Sequence, residues 1–250
     1  MDLGIRDAGV IVTGASRGLG AAMVRTLVAE GANVVAAART TDALEALAAE
    51  APGRIEPVSC DMRDTDAVEA LVAVCVDRFG RVDAVVNNAG VAPAGKLVET
   101  DLSVMTETIA VNVIAPAALA RSAARHWIAS EQPGSVVNIA STVGIKGKPL
   151  LSSYSASKGA MVRLTEALAA EWARYGIRVN TIAPGAFETD AQSAVLDDPA
   201  TLAARLRKIP ARRMAQPHEI GPMTAYLVSP LSDFVTGACF VIDGGEVAKL

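Results

Sequence analysis

The sequence predicts an α/β protein built on a single doubly wound parallel sheet of about seven strands, with helices on both faces. Short apolar runs rich in Val, Ile and Ala alternate strictly with longer helical patterns along the chain. Most of the short runs are continuously apolar, which is typical of parallel strands buried on both faces. Strict alternation of strands and helices favours right-handed crossovers between parallel strands.

Each element follows from this alternation in chain order. Strands are predicted at residues 9–13, 32–38, 54–59, 82–87, 135–140, 177–182 and 238–242, and helices at 19–30, 41–50, 64–79, 101–128 and 153–175. The segment from Pro184 to Arg213 mixes polar and apolar residues around internal prolines, which is consistent with a helical lid over a site. The chain shows no repeat or linker, so residues 1–250 are predicted to form one domain.

Composition limits the classes of function. A net charge of −4 offers no basic surface for nucleic acid. Three Cys without a C-x-x-C spacing indicate reduced thiols rather than a disulfide framework, and with two His they argue against a metal centre. The N-terminus lacks the pattern of a signal peptide, and no stretch is expected to be long enough to span a bilayer. These features predict a cytoplasmic protein with no nucleic-acid or membrane partner.

The first strand is followed by a glycine-rich turn, TGASRGLG, from Thr13 to Gly20. Gly14, Gly18 and Gly20 would let the backbone approach a diphosphate, and the N-terminus of the following helix favours an anion. The turn has neither the G-x-G-x-x-G spacing nor a G-K-[ST] sequence, which excludes a Walker-type nucleotide loop. A glycine-rich turn without a ligand is the alternative at this point.

The second strand ends in a basic rather than an acidic residue. A site for NAD would usually place a carboxylate here to hold the adenosine ribose. The chain instead has Arg39, and Arg17 lies within the glycine turn. Two guanidinium groups suit a 2′-phosphate, which favours NADP(H) over NAD(H), although Arg39 could also be a solvated loop residue. Asp61, after the third strand, could accept a hydrogen bond from an adenine amino group or cap the next helix.

Polar residues also follow the later strands, at the edge where ligands of such sheets bind. The fourth strand ends in NNAG, residues 87–90, whose paired amides could brace strand ends or line a ligand channel. Ser141 follows the fifth strand. The sixth is followed by PGAFET, in which Pro184 and Gly185 turn the chain and Thr189 offers a hydroxyl.

A phenol and an ammonium group stand four residues apart in YSASK, from Tyr154 to Lys158. Side chains at this spacing meet on any helix face, so the pair alone could be an ordinary helix surface. Beside a dinucleotide turn it becomes a candidate acid–base pair. The nearby cation is then expected to lower the pKa of the phenol, whose reference value is about 10, towards the range useful in catalysis.

Taken in order, TGASRGLG, NNAG, a Ser thirteen residues before YSASK, and PGAFET resemble the short-chain dehydrogenase/reductase family in its shorter cytosolic form. The closing segment VTGACFVIDGG, residues 235–245, is similar to the last strand of that family, so the resemblance covers nearly the whole chain. Residues 184–245 are loosely similar to gluconate 5-dehydrogenase-like and 3-oxoacyl-carrier-protein reductase-like members. The resemblance implies a Rossmann-type fold and an NADP(H)-dependent oxidoreductase that transfers a hydride between the nicotinamide and a ketone or secondary alcohol.

The resemblance also implies the site residues. Tyr154 would be the acid–base, Ser141 would donate to the substrate oxygen, and Asn112 would sit at a local helix break and seat a water in a proton relay to Lys158. The implied catalytic set is therefore Asn112, Ser141, Tyr154 and Lys158. Cofactor contacts are implied for Gly14, Ser16, Arg17, Gly18, Leu19, Arg39, Asp61, Met62, Asn88, Ala89, Gly90, Tyr154, Lys158, Pro184, Gly185 and Thr189, and no metal is expected.

Assembly and substrate are predicted more coarsely. Helices 101–128 and 153–175 are apolar around more than one face, and the family habit of pairing them across subunits implies a homodimer or homotetramer. A small carbonyl or alcohol substrate is expected in a partly apolar pocket lined by Val143, Ile145, Leu150, Leu151, Phe187 and Leu196. A non-catalytic or regulatory protein that binds NADP(H) on the same fold is the alternative, because a fold alone does not establish activity.

Overall fold

A sheet of seven parallel strands forms the centre of the computed structural model, which describes residues 2–249 of the chain. The spatial order is β3–β2–β1–β4–β5–β6–β7, and every neighbouring pair is parallel. The strands are β1 (Gly9–Thr13), β2 (Asn33–Ala38), β3 (Ile55–Ser59), β4 (Ala84–Asn87), β5 (Gly134–Ile139), β6 (Ile177–Pro184) and β7 (Cys239–Ile242). The predicted doubly wound parallel sheet is confirmed.

Helices cover both faces of the sheet. They are α1 (Gly18–Ala29), α2 (Thr41–Ala49), α3 (Thr65–Phe79), α4 (Leu102–Ile109), α5 (Ala115–Ala129), α6 (Ser152–Trp172), α7 (Ser193–Leu196), α8 (Pro199–Lys208) and α9 (Gly221–Val228). Helices α1, α2 and α9 bury their apolar residues on one face, and α3, α5 and α6 on the other. Successive strand residues alternate between the two cores, with Val10 and Val12 in the first and Ile11 in the second.

The edge strands depart from the predicted pattern of burial on both faces. The interior strands β1, β4, β5 and β6 are buried along their whole length. The edge strands β3 and β7 keep part of their surface exposed, and Val241 of β7 is 43% exposed. Edge strands have one neighbour instead of two, so the helices above and below them cover them less completely.

The helix predicted at residues 101–128 is continuous but not uniform. A π-helical turn at Ala110–Ile114 joins α4 to α5 and matches the local break implied at Asn112. The run Leu102–Ala129 has 28 residues and contains an 18-residue window with a mean hydropathy of 1.5, so by length and composition alone it could cross a membrane. The expectation that no stretch reaches this length is therefore wrong. In the fold α5 packs on α3 and buries Trp127, whose indole N–H donates to the Val82 carbonyl (2.7 Å).

Sequence analysis does not predict α9. The first turn of this helix contains Gly221 and Pro222, which obscure a helical pattern. Its C-terminal carbonyls are bound by the buried Arg178 of β6, which donates to the carbonyls of Leu227 (2.9 Å) and Ser229 (3.2 Å). A helix of eight residues that depends on a distant cation cannot be recognised from its own sequence.

A C-terminal tail, residues 243–249, contacts residues 184–213, the segment predicted to form a lid. That segment contains α7 and α8, and its apolar residues form a small cluster of their own. Glu246 of the tail forms a two-bonded ion pair with Arg205 of α8, with one bond of 2.6 Å. The two side chains are only 22% and 19% exposed. Lys146, in the loop after β5, donates to the Val247 carbonyl, so the tail also reaches the opposite side of the strand ends.

We expect Glu246→Gln to loosen α8 without unfolding the sheet. Loss of a part-buried ion pair of this kind costs ~1 kcal/mol, which corresponds to about fivefold faster local opening. Hydrogen–deuterium exchange should therefore accelerate in α8 and stay unchanged in α6. Glu166→Gln, which removes an exposed ion pair with Arg163, is the matched control. Equal exchange in α8 of the wild type and Glu246→Gln would contradict the prediction.

Candidate active site

The crevice between β1 and β4 is where the order of strands reverses. β1 continues to β2 and β3 on one side, and the chain then returns to place β4 on the other side of β1. The Thr13 hydroxyl accepts from the amides of Asn88 and Ala89 (both 3.1 Å). The Asn88 side chain donates to the carbonyls of Thr13 (2.9 Å) and Gly14 (3.1 Å). These bonds join the glycine turn to the NNAG segment at the switch point, where ligands of such sheets bind.

The glycine turn is shaped by close backbone contacts. Gly14 has φ +65°, and a side-chain carbon there would lie 2.8 Å from Ala89 Cα. A side-chain carbon at Gly20 would lie 2.1 Å from the Gly14 carbonyl oxygen. Among residues 2–249, no side chain caps the N-terminus of α1, which begins at Gly18. Its first amides are therefore available to a diphosphate, which fits the predicted dinucleotide.

A cavity of about 560 Å³ opens from the glycine turn along the ends of β1 to β4. The predicted cofactor residues that line it are Gly14, Ser16, Arg17, Gly18, Leu19, Arg39, Asp61, Met62, Asn88, Ala89, Gly90 and Thr189. The other four, Tyr154, Lys158, Pro184 and Gly185, lie outside this lining. The cavity thus corresponds to the adenosine-phosphate half of the predicted site.

Asp61 lines the cavity and forms an ion pair with Arg63. Its carboxylate accepts from the Arg63 guanidinium (Nη2 to Oδ2, 2.5 Å) and from the Arg63 amide (2.9 Å). These hydrogen bonds from Arg63 lower the pKa of Asp61 to about 2. The alternative of a helix cap is wrong, because Asp64 caps α3 by accepting from the amides of Asp66 and Ala67.

A buried polar row fixes α6, the helix that carries YSASK, on the sheet. Asn87 and Asn138 are register partners on β4 and β5, and their side chains form a 2.9 Å hydrogen bond. Asn138 donates in turn to the Thr165 hydroxyl of α6 (2.8 Å), which also accepts from Thr181 of β6 (2.7 Å). Asn87 is therefore a bracing residue, whereas its neighbour Asn88 reaches the cavity.

Tyr154 and Ser141 meet at the end of β5. Ser141 begins the turn after this strand, and its hydroxyl accepts from the Val143 amide (3.3 Å). Burial raises the pKa of Tyr154, and a hydrogen bond with the Ser141 side chain acts in the opposite direction but is the smaller effect. The predicted lowering of this pKa by Lys158 is therefore wrong for the protein alone, because loss of hydration destabilises the phenolate more than its neighbours stabilise it.

Lys158 is a buried lysine next to Tyr154. Its side chain is 4% exposed, and its ammonium group donates to the Ile139 carbonyl (2.6 Å). The ammonium nitrogen lies 5.8 Å from the centre of the Tyr154 ring. Burial lowers the pKa of Lys158 from 10.5 to about 8. The predicted pair thus exists as neighbouring groups, both of which burial shifts towards their neutral forms.

Asn112 connects this pair to the cavity. It lies in the π-helical turn, and its side chain exchanges hydrogen bonds with both backbone groups of Val91 (both 2.8 Å). It also donates to the Ser157 hydroxyl (3.0 Å). A side-chain carbon at Gly90 would lie 3.2 Å from Asn112 Oδ1 and 3.5 Å from Lys158 Nζ, so these three predicted residues are packed together.

The remaining predicted residues line the end of β6. Pro184 is its buried last residue, and a side-chain carbon at Gly185 would lie 2.6 Å from Asp243 Cβ. The side chain of Thr189 approaches Gly18. A side-chain carbon added at Gly18 would lie 3.5 Å from Thr189 Cγ2. These contacts bring the start of the β6–α9 connection over the glycine turn.

The predicted pocket residues divide into two groups. Ile145 and Leu150 are 42% and 55% exposed near Ser141 and are available to a substrate. Phe187 is 3% exposed within the main core, and Leu196 packs on the cluster formed with Ile209. The expectation that Phe187 lines the pocket is therefore wrong, because that side chain is used for packing.

Several residues at the site are missing from the predicted set, among them Arg63, Glu107 and Ser157. Arg63 and Glu107 line the cavity, and Ser157 is fully buried between Asn112 and the Tyr154 carbonyl, to which it donates (2.8 Å). The spacing of Asp61 and Arg63 in DMRD is a signal that could have indicated an ion pair. Glu107 and Ser157 carry no such local signal, because their roles depend on how α4 and α6 pack.

A doubly wound sheet with an uncapped glycine turn, and with a tyrosine next to a buried lysine at one edge, is the arrangement of a dinucleotide-dependent oxidoreductase. A family model described as enoyl-(acyl carrier protein) reductase matches residues 14–246. The chain belongs to the short-chain dehydrogenase/reductase family, as the resemblance of its motifs indicated.

Relatives with established names are dehydrogenases and reductases. The chain is 37% identical over 241 residues to a 2,5-dichloro-2,5-cyclohexadiene-1,4-diol dehydrogenase of Sphingobium indicum, covering 96% of both chains. It is 38% identical to 3β-hydroxysteroid dehydrogenase 1 of Eggerthella lenta, covering 94% of this chain and 92% of the other. It is 34% identical to the 3-oxoacyl-[acyl-carrier-protein] reductase of Thermotoga maritima, covering 95% and 96%.

Solved structures share the whole fold. An Agrobacterium tumefaciens protein assigned as a gluconate dehydrogenase superposes with a TM-score of 0.94 at 30% identity, with all of both chains covered. A second protein of that organism, assigned as a 2-deoxy-D-gluconate 3-dehydrogenase and solved with bound NADP, has a TM-score of 0.91 at 35% identity over 99% of both chains. These comparisons confirm the predicted enzyme class, a nicotinamide-dependent dehydrogenase or reductase acting on a CH–OH or C=O group.

We expect the burial of Lys158 to make stability rise with pH between about 8 and 10. In this window the folded protein releases the Lys158 proton while the unfolded chain, with a pKa of 10.5, keeps it. Because the unfolded state then binds more protons, the free energy of unfolding should increase, by ~2 kcal/mol.

Urea unfolding of the wild type and Lys158→Met at several pH values measures this contribution, which the variant lacks. Lys96→Met removes an exposed lysine and serves as the control. A wild-type minus Lys158→Met difference that stays flat from pH 8 to 10 would show that the folded protein does not perturb this group.

Proposed function

We propose that the protein is an NADP(H)-dependent oxidoreductase that interconverts a ketone and a secondary alcohol, with Tyr154 as the acid–base. One observation carries this proposal: the Tyr154 phenol, the Ser141 hydroxyl and the buried Lys158 stand together at the end of β5. Gly90 and Asn112 connect them to the cavity that begins at the glycine turn. A reactive carbonyl placed beside this group would lie at the inner end of the dinucleotide site.

The cavity wall supports NADP(H) as the preferred cofactor. Arg17 and Arg39 are exposed on its lining at the end next to β2, and two guanidinium groups match a 2′-phosphate. The free amides of the first turn of α1 would bind the diphosphate. The bound NADP in the related A. tumefaciens structure is consistent with this preference. Bound here, the nicotinamide would supply or accept the hydride.

Tyr154 would move the proton. In reduction its phenol Oη donates to the carbonyl oxygen of the substrate, and in oxidation it takes the proton from the hydroxyl. The raised pKa of Tyr154 keeps the phenol protonated at neutral pH, which favours the role of acid in ketone reduction. The Ser141 hydroxyl would hold the substrate oxygen and stabilise the charge that develops on it.

Lys158 would return a proton to the Tyr154 phenolate after ketone reduction, while Asn112 and Ser157 would hold the neighbouring segments in place. Lys158 has a pKa of about 8, so near neutral pH its ammonium group can release a proton at modest cost. Asn112 and Ser157 link the π-helical turn to the first turns of α6 through the 3.0 Å hydrogen bond between them. This bond keeps the π-helical turn and the YSASK segment in one arrangement.

The substrate side is formed by the loop after Ser141 and by the β6–α9 segment, residues 184–213, acting as a lid on a single domain. The exposed side chains of Ile145 and Leu150 give this side an apolar surface. Two relatives are named for alcohols on carbocyclic rings, a cyclohexadiene diol and a steroid. Ring-borne secondary alcohols and their ketones are therefore the first substrates to test.

Two features support the proposed assembly and cytoplasmic location. Leu102 and Ile114, on the α4–α5 run, are 68% and 50% exposed, which suits pairing of these helices in a homodimer or homotetramer. The buried thiols of Cys60 and Cys75 are free, as in a reducing cytoplasm.

We expect an activity screen to find turnover that depends on Tyr154. NADPH and NADH should be tested against cyclic ketones, keto acids of sugars and acyl thioesters, following cofactor absorbance. With the best substrate, Tyr154→Phe should lower kcat roughly 10³-fold, because it removes the only transferable proton on that side chain. The Kd for NADPH should stay nearly unchanged.

Tyr175→Phe is the control, since Tyr175 is exposed and lies at the far end of α6. Full activity of Tyr154→Phe would refute the proposed role. Tight NADPH binding without turnover of any class of carbonyl compound would support the non-catalytic alternative instead.

We expect light scattering of the wild type at micromolar concentration to give the mass of a dimer or tetramer. Ile114→Glu places a charge on an exposed apolar position of the π-helical turn between α4 and α5 and should shift the mass towards the monomer. Arg163→Glu, on the exposed face of α6, tests whether that helix takes part. A wild-type mass of one chain would contradict the predicted assembly.

A further inference from the structure

Charged side chains gather at the adenosine end of the cavity, beside β2 and β3. Ala38 and Ser59 are register partners on these strands, and the Cys60 amide donates to the Ala38 carbonyl (3.0 Å). Arg39 and Asp61 therefore lie close together at the ends of β2 and β3, just after this pair. The charged residues that line this end are Arg17, Arg39, Asp61, Arg63 and Glu107.

Asp61 presents an electrostatic problem for the proposed cofactor. A phosphate monoester carries about −1.5 to −2 charges at neutral pH, so a carboxylate beside Arg39 would repel it. The same carboxylate would also compete with the phosphate for the Arg39 guanidinium, because both are good bidentate partners for arginine.

In this structure the Asp61 carboxylate forms an ion pair with Arg63. The Arg63 Nη2 donates to Oδ2 (2.5 Å), its Nε lies 3.1 Å from both oxygens, and its amide donates to Oδ1 (2.9 Å). On its other side Arg63 lies 3.9 Å from Glu107 of α4, so it spans the outer wall of the cavity. Among residues 2–249, Arg39 makes no ion pair with a carboxylate.

Both Arg63 and Arg39 lower the pKa of the Asp61 carboxyl group. Hydrogen bonds from Arg63 are the main reason why the pKa of Asp61 falls to about 2, and the charge of Arg39 lowers it further. Asp61 therefore lies within the electrostatic reach of Arg39 while it is bound to Arg63. Without Arg63, Arg39 would be the remaining cation known to act on Asp61.

We propose that Arg63 determines the preference for NADP(H) by acting through Asp61: it occupies this carboxylate and so keeps Arg39 available for the 2′-phosphate. Arg63 is a positioning residue in this role, because it need not touch the phosphate. The inference rests on the proposed use of NADP(H) and adds a residue that the motif pattern does not include.

Fluorescence titration with NADPH and with NADH tests this role without any substrate. Arg63→Gln should raise the Kd for NADPH roughly tenfold and change that for NADH less than about threefold, because one exposed carboxylate is screened by water and salt. Asp61→Asn/Arg63→Gln should bind NADPH within about threefold of Asp61→Asn alone, because the competing charge is gone. Thermal melting checks that each variant is folded.

Arg121→Gln is the matched control. Arg121 and Arg63 are equally exposed, at 57%, and Arg121 pairs with Glu69 away from the cavity. Equal weakening of NADPH and NADH by Arg63→Gln would overturn the inference, since Arg63 would then contact a part that both cofactors share. A loss of NADPH binding that persists in the Asp61→Asn background would overturn it too, since it would indicate a direct bond to the phosphate.

The same titration separates the inference from the proposed function. If the wild type binds neither dinucleotide, the proposed function fails. If the wild type prefers NADPH and Arg63→Gln keeps that preference, the proposed function stands and only the role of Arg63 fails.

Discussion

The parallel pairing of β1 with both β2 and β4 is the constraint on which the rest of the site depends. It brings the glycine turn and the NNAG segment, more than sixty residues apart in the chain, to the same edge of the sheet. The Thr13 side chain then locks the two segments by accepting from the Asn88 and Ala89 amides. Because backbone atoms pack so closely here, Gly14 and Gly20 admit no side chain, and the space above them remains open to a ligand.

The two ends of the site use charge in different ways. At the adenosine end the arginines are exposed, and their charges act through water as partners for an anion. At the other end Lys158 is buried and Tyr154 is partly buried, and loss of hydration shifts both pKa values towards the neutral forms. Charge is therefore costly beside Tyr154 and inexpensive beside Arg17 and Arg39. This difference suits a site that binds an anion at one end and transfers a proton at the other.

Features that depend on local sequence could be predicted, and features that depend on packing could not. Every strand and the glycine turn carry their own pattern, so their positions agree with the structure within a few residues. The sign of the Tyr154 pKa shift depends on how much of the phenol the fold buries, which no local pattern reports. The same holds for α9, whose last carbonyls need Arg178 of β6, and for the tail, whose Glu246 finds Arg205 across the chain.

The proposed catalytic residues show why an ordered set of motifs predicts more than its members do. Helical spacing predicts that Tyr154 and Lys158 are neighbours, but it gives no reason for the helix to face the cavity. The buried row from Asn87 through Asn138 to Thr165 supplies that reason, because it attaches α6 to β4 and β5 beside the switch point. Asn112 then attaches the same helix to the segment after β4 through Ser157 and Val91. The Tyr154–Lys158 pair is positioned by buried amides that link neighbouring elements, so its geometry depends on the sheet as much as on the YSASK segment.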